Sequence, residues 1–132
     1  MTQITRKYHL FDAQDKILGR LATQVARILS GKHHAHFTPN IDAGDCVVIV
    51  NVEKIAVSGG KEKKKMYHHY SGYPGGLHSL RYEEMKDRDV RKILEKAISG
   101  MLPKNKLQRD RMKRLFLYGD DKHSHTIHIT HE

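Results

Sequence analysis

A single cysteine, Cys46, no tryptophan and only three prolines stand among the 132 residues. One thiol can form neither an intramolecular disulfide nor a multi-cysteine zinc site, so the fold is expected to be held by packing in a reducing compartment such as the cytoplasm. Long apolar stretches are missing too. The longest unbroken one, Cys46 to Val50, is far short of the roughly 20 residues a membrane-spanning helix needs. The opening MTQITRKYHLFD has a charged pair but no apolar stretch behind it, which argues against a secretory signal. No segment pairs a wide Trp/Phe face with a lysine face, so a peripheral membrane anchor is not expected either. The length and the 38% apolar content fit one globular domain over 1–132.

What the chain has in excess is positive charge. There are 24 Lys+Arg against 15 Asp+Glu, a formal charge of +9, and the sequence pI is about 9.7. With membranes disfavoured, that balance points to nucleic acid. The excess is local. Residues 1–58 hold 7 basic and 5 acidic side chains, residues 59–118 hold 16 and 7, and residues 119–132 hold 1 and 3. This reads as a scaffold followed by a basic binding section over 59–118, with a tail over 120–132 that is free to stay mobile.

Periodicity supplies the framework. Tyr8 to Asp12 reads as a first strand. Leu18, Leu21, Ala22, Val25, Ile28 and Leu29 fall on one helical face, with Gly31 as the stop. The segment TPNIDAGD (38–45) reads as a loop, and Cys46 to Val52 as a strand buried on both faces, because it shows no alternation. A shorter extended piece follows at Ile55 to Val57, before the turn Ser58-Gly59-Gly60. Met66 to Tyr70 and Leu77 to Tyr82 read as extended. With Asp87 or Asp89 as N-cap, Val90, Ile93, Leu94, Ala97, Ile98 and Met101 predict a helix ended by Gly100 and Pro103. A last helix is expected over Asn105 to Phe116, running into a short strand at Leu115 to Tyr118. Helices interleaved with a buried strand indicate an α/β domain.

Two segments carry chemistry suited to RNA. In GGKEKKKMYHHYSGYPGG (59–76), Lys61, Lys63, Lys64 and Lys65 can neutralise phosphates, and His68 and His69 add polar contacts. Gly72, Gly75 and Gly76 let backbone approach closely, and an aromatic ring such as Tyr67 can stack on an unpaired base. The plainer reading is a solvated hairpin whose tyrosines pack on the core. In LPKNKLQRDRMKRLFLY (102–118), Leu107, Met112, Leu115 and Phe116 occupy one half of a helical wheel. Lys106, Arg109, Lys113 and Arg114 occupy most of the other, with Lys104 and Arg111 adding to the charge. An ordinary amphipathic surface helix is the competing reading, but such helices usually mix signs.

Other chemistries fail on spacing. Gly60-Lys61 follows an extended segment, but a phosphate loop also needs a glycine at position 55 and Ser or Thr at 62, where Ile55 and Glu62 stand. Seven of the eleven histidines gather at His33, His34 and His36 and at His123, His125, His128 and His131. Neither group has His-Glu-x-x-His spacing or a cysteine pair, so no metal is expected. An RNA-cleaving or RNA-modifying enzyme using His68, His69 or a tail histidine would need a carboxylate in register, which no spacing suggests. Cys46 opens the most apolar strand and reads as a core residue. No catalytic residue, cofactor or small-molecule substrate is expected.

Taken in order, LGRLATQVARILSGK (18–32), TPNIDAGD (38–45), the lysine and tyrosine section ending in SGYPGG (71–76) and GMLPKNKLQRDRMKRLFLY (100–118) resemble the bacterial form of the large-subunit ribosomal protein thirteen family. The likeness spans nearly the whole chain. It implies a three-layer α/β/α domain with a small, mostly parallel sheet of about four strands. It also implies a role as a structural constituent of the large subunit that binds its 23S-type RNA, joins the particle early in assembly and touches neighbouring ribosomal proteins. Messenger RNA is a further candidate partner, in a regulatory role. By the same resemblance the basic residues of 61–76 and 104–114 face RNA, as do His123 and His125. Three positions depart from the family pattern: Gln108 and Asp120 replace glycines and Ser124 replaces a proline. Asp120 and Asp121 would repel a phosphate unless they face protein or ions.

Overall fold

The computed structural model describes residues 4–131; residues 1–3 and 132, the ends of the expected single domain, lie outside them. Strand β1 (Tyr8–Asp12) alternates, burying His9 and Phe11 and leaving Tyr8 and Leu10 half-buried on the other face. Helix α1 (Leu18–Ser30) ends where Gly31, at φ 85°, turns its N–H back to the carbonyls of Arg27 and Ile28. Strand β2 (Cys46–Val50) is buried at every position, which is why its sequence shows no alternation. It stops two residues short of the expected Val52, because Asn51 adopts a left-handed conformation and Val52–Lys54 form a single 3-10 turn. Of the extended piece after it, Ala56 makes only an isolated parallel bridge to Ile17.

The later elements are α2 (Lys61–Lys64), β3 (Met66–Tyr70), β4 (Leu77–Arg81), α3 (Tyr82–Arg88), α4 (Val90–Met101), α5 (Leu107–Met112), β5 (Leu115–Leu117) and β6 (Ile129–His131). Sequence reading expected a helix through Phe116, but α5 is shorter. Past Met112 the chain turns into β5, whose backbone hydrogen-bonds to β2 satisfy groups that a longer helix would have paired internally. Helix α3, with only Tyr82 and Met85 buried, is too short to show a period, and β6 is a three-residue edge strand.

The main sheet runs in the order β5-β2-β1-β6 with every pairing parallel. This is the α/β class with a small parallel sheet that was expected. From β1 to β2 to β5 the chain moves in one direction, so right-handed crossovers carry α1 and α4 over the same face. Their residues Leu21, Val25, Leu29, Ile93, Leu94 and Ile98 form one apolar core with Phe11, Val47 and Ile49. The return from β5 to β6 must cross the opposite face. There the Tyr8 ring stacks on Phe116 at 6.3 Å between centroids, and Phe116 meets His125 at 4.3 Å. The third layer is therefore extended chain over 118–128, and the tail is anchored by β6 on β1.

Of the two candidate caps it is Asp89 that begins helix α4, accepting a hydrogen bond from the Arg91 backbone N–H at 3.1 Å. Asp89→Ala is expected to lower stability by about 1 kcal/mol in urea unfolding, while Asp87→Ala, which caps nothing, should leave the midpoint unchanged.

Candidate nucleic-acid interface

The lysine and tyrosine section folds into α2 and the antiparallel ribbon β3-β4, with Met66 opposite Arg81 and Tyr70 opposite Leu77. An isolated two-stranded ribbon is marginal in water. This one is fixed at its base, where Tyr67 and Leu80 pack against the core and the Tyr82 N–H donates to the Lys65 carbonyl at 2.9 Å. Its outer part is open to solvent. Tyr70 is 61% exposed, Tyr73 75% and Leu77 61%. Gly72 (φ 89°) and Gly75 (φ 73°) hold left-handed turn positions at the tip. Gly76 is buried, and a side chain there would run into the Ser71 hydroxyl and the Tyr73 carbonyl. Turn geometry by itself accounts for these glycines.

Lys61, Lys63 and Lys64 are exposed, Lys65 is half-buried, and His68 and His69 are exposed, with His68 Nδ1 2.7 Å from the Ser79 hydroxyl. Tyr67 does not offer its ring as sequence reading supposed. It packs on the core, with the ammonium groups of Lys65 and Lys96 at 5.4 and 5.2 Å from its centroid. Burial, with Tyr82 nearby, pushes its phenol pKa upward. The rings left available for stacking are Tyr70 and Tyr73. Both lie in the 59–76 segment, where the Gly72 and Gly75 turn signals beside Tyr73 mark the tip.

The second segment divides. Lys104, Lys106, Arg109 and Lys113 are exposed, but Arg111 is 1% and Arg114 9% exposed. Both turn inward, to the loop over 38–45. The Arg114 guanidinium donates to the Asp42 carboxylate, to the Leu29 carbonyl at 3.0 Å and to the Asp45 carbonyl at 2.8 Å. Arg111 Nε lies 3.6 Å from the same Asp42 carboxylate. Two of the expected phosphate contacts are thus internal struts. The local sequence carries no signal of this, because Asp42, the acid both approach, lies 72 residues before Arg114.

The two basic segments attach to one helix. Lys96 of α4 caps Tyr67 of the ribbon, and one turn further on the Ser99 carbonyl accepts from Gln108 Nε2 of α5 at 2.5 Å. Gln108, one of the departures from the family pattern, makes this link itself. His123 and His125 are half-buried, and His125 Nε2 is 2.7 Å from the Tyr118 hydroxyl, so the tail histidines help cover the sheet's second face.

Asp45, buried, collects three histidines from distant parts of the chain. His9 Nε2 and His33 Nε2 each lie 2.8 Å from Asp45 Oδ2, and His34 Nε2 lies 3.6 Å away. Burial works against the carboxylate, but hydrogen bonds from His9, His33 and the Lys7 N–H outweigh it and hold the pKa near 2. The cluster is not legible in the sequence, because its members sit at positions 9, 33, 34 and 45 and meet only in the fold.

Cys46 is buried, and that burial raises its thiol pKa; His68 pairs with a serine hydroxyl. Among the described residues, no helix is long and apolar enough to cross a membrane. A parallel α/β core carries a cationic ribbon outboard, and buried arginines brace its own loops. The family model for ribosomal protein L13 matches residues 6–124. The large ribosomal subunit protein uL13 of Legionella pneumophila (strain Corby) is 47% identical over 94% of this chain and 86% of its own length. That of Streptomyces coelicolor is 51% identical over 92% and 83%. The chain belongs to the ribosomal protein L13 family.

Proposed function

We infer that this chain is a structural constituent of the large subunit of the cytoplasmic ribosome and that it binds large-subunit rRNA through the two basic segments joined by α4. The observation that carries this is the attachment of both segments to the same helix, at Lys96 and Ser99, with Lys61, Lys63, Lys64, Lys104, Lys106, Arg109 and Lys113 all exposed. A rigid core holding two cationic arms fits recognition of folded RNA by backbone and shape. Tyr70 and Tyr73 at the ribbon tip would stack on unpaired bases. Two cationic arms on one rigid core would hold two RNA segments in place, which suits a protein that joins early in assembly. Ile4 and Ile41, 44% and 47% exposed beside Ala43, offer an apolar patch suited to a neighbouring ribosomal protein.

With Arg111 and Arg114 engaged internally, about seven cations remain for phosphates, and log affinity for the cognate RNA is expected to fall with log salt at a slope of roughly −5 to −6. Filter binding of the full chain to a large-subunit rRNA fragment across a salt series measures it. A slope shallower than about −2 would remove the phosphate-clamp reading.

A further inference from the structure

We propose that His9, His33 and Asp45 form a binding site for a divalent transition-metal ion of the zinc class, with His34 in reach of the fourth position. Two histidine nitrogens and one carboxylate oxygen are a common donor set for zinc. The three donor atoms, His9 Nε2, His33 Nε2 and Asp45 Oδ2, lie within 4.8 Å of one another. Tetrahedral bonds of about 2.0–2.1 Å place neighbouring donors roughly 3.3–3.4 Å apart. The distances here bracket that value: 2.8 Å from Asp45 Oδ2 to His9 and to His33, and 3.6 Å to His34. Small rotations of the imidazoles, opening two contacts and tightening one, would admit an ion.

The surroundings suit a metal in two further respects. His9 Nδ1 is 2.8 Å from His131 Nε2. When His9 ligates through Nε2 its remaining proton sits on Nδ1 and donates to His131, the outer hydrogen bond that fixes a metal-bound imidazole in orientation and tautomer. The His131 ring in turn stacks on Phe11 at 4.4 Å, which holds that acceptor in place. The nearby arginines are otherwise engaged: Arg114 is bound to Asp42 and to backbone carbonyls, and Arg6 donates to the Gly44 carbonyl, so the Oδ2 face of Asp45 is left to the histidines.

An ion here would join β1, the turn after α1 and the loop entering β2, with β6 held through His131. Its role would be a structural staple at the end of the sheet where β1 and β2 begin. None of these ligands is among the residues proposed above to face RNA.

The test uses the full chain, stripped with a chelator and titrated with Co2+ and then Zn2+. One Co2+ per chain is expected, with the intense visible absorption of a tetrahedral ion, displaced by Zn2+, and with a higher melting temperature in the loaded protein. His33→Gln, on a partly exposed side chain, should abolish the tetrahedral spectrum. His131→Ala should weaken binding about 10–100-fold, and His36→Gln and His128→Gln should leave it intact. Should His33→Gln fail to fold, NMR of the unaltered chain decides: Zn2+ must shift the His9, His33 and Asp45 resonances ahead of those of His36 and His128. No uptake, an octahedral spectrum, uptake unchanged in His33→Gln, or shifts spread evenly over the surface histidines would each overturn the proposal.

Discussion

Replacing Asp42 by alanine is expected to lower the unfolding free energy by about 3–5 kcal/mol, because it strands two buried cations. The Arg111 and Arg114 side chains are 2% and 11% exposed, and Asp42 is the carboxylate both approach. A guanidinium removed from water and deprived of its counter-charge keeps the desolvation penalty and loses the attraction that offset it. Against a typical total of 5–15 kcal/mol the loss is large, and urea unfolding with a constant m-value would measure it. The contrast is Asp110→Ala. Asp110 pairs with Lys113 at 3.8 Å, but those side chains are 61% and 71% exposed, so water and salt screen the pair and the midpoint should scarcely move. Equal effects at the two positions would mean that Arg111 and Arg114 reach solvent in the folded chain. The double variant Asp42→Ala with Arg114→Met should recover part of the loss, since one of the two stranded cations is then gone.

The triple change Lys61→Ala, Lys63→Ala and Lys64→Ala acts on binding instead. If each lysine neutralises one phosphate, the salt slope should become shallower by about 2–3, and affinity at 0.1 M salt should drop roughly 100-fold, with no change in sequence preference. All three side chains are exposed, and none makes a salt bridge among the described residues, so unfolding by urea should be unchanged. Parallel filter-binding series on the cognate RNA and on a shuffled RNA separate the outcomes. An unchanged slope would place the α2 lysines away from RNA and leave α5 as the only cationic arm.

The sequence by itself determined the features that depend on neighbours a few residues apart. The helical face from Leu18 to Leu29, the periodic face of α4 and the unalternating run of β2 each carry their own local signature. The charge excess over 59–118 could be read the same way, because it too is a property of contiguous residues. The tertiary structure decided what depended on partners far along the chain. Whether an arginine meets a phosphate or an internal acid is invisible in LQRDRMKR; Arg114 turned inward because folding brought Asp42 and the Leu29 carbonyl within its reach. Tyr67 rather than Tyr70 became the packing tyrosine because α4 carries Lys96 over its ring. The chain past 118 became a layer and an edge strand because right-handed crossovers filled one face and left the other for it to cover. His9 met Asp45 because parallel pairing sets Tyr8 opposite Cys46, which brings the loop ending at Asp45 beside β1. Periodicity reports which side of an element is buried, and only the closed fold supplies the groups that lie against it.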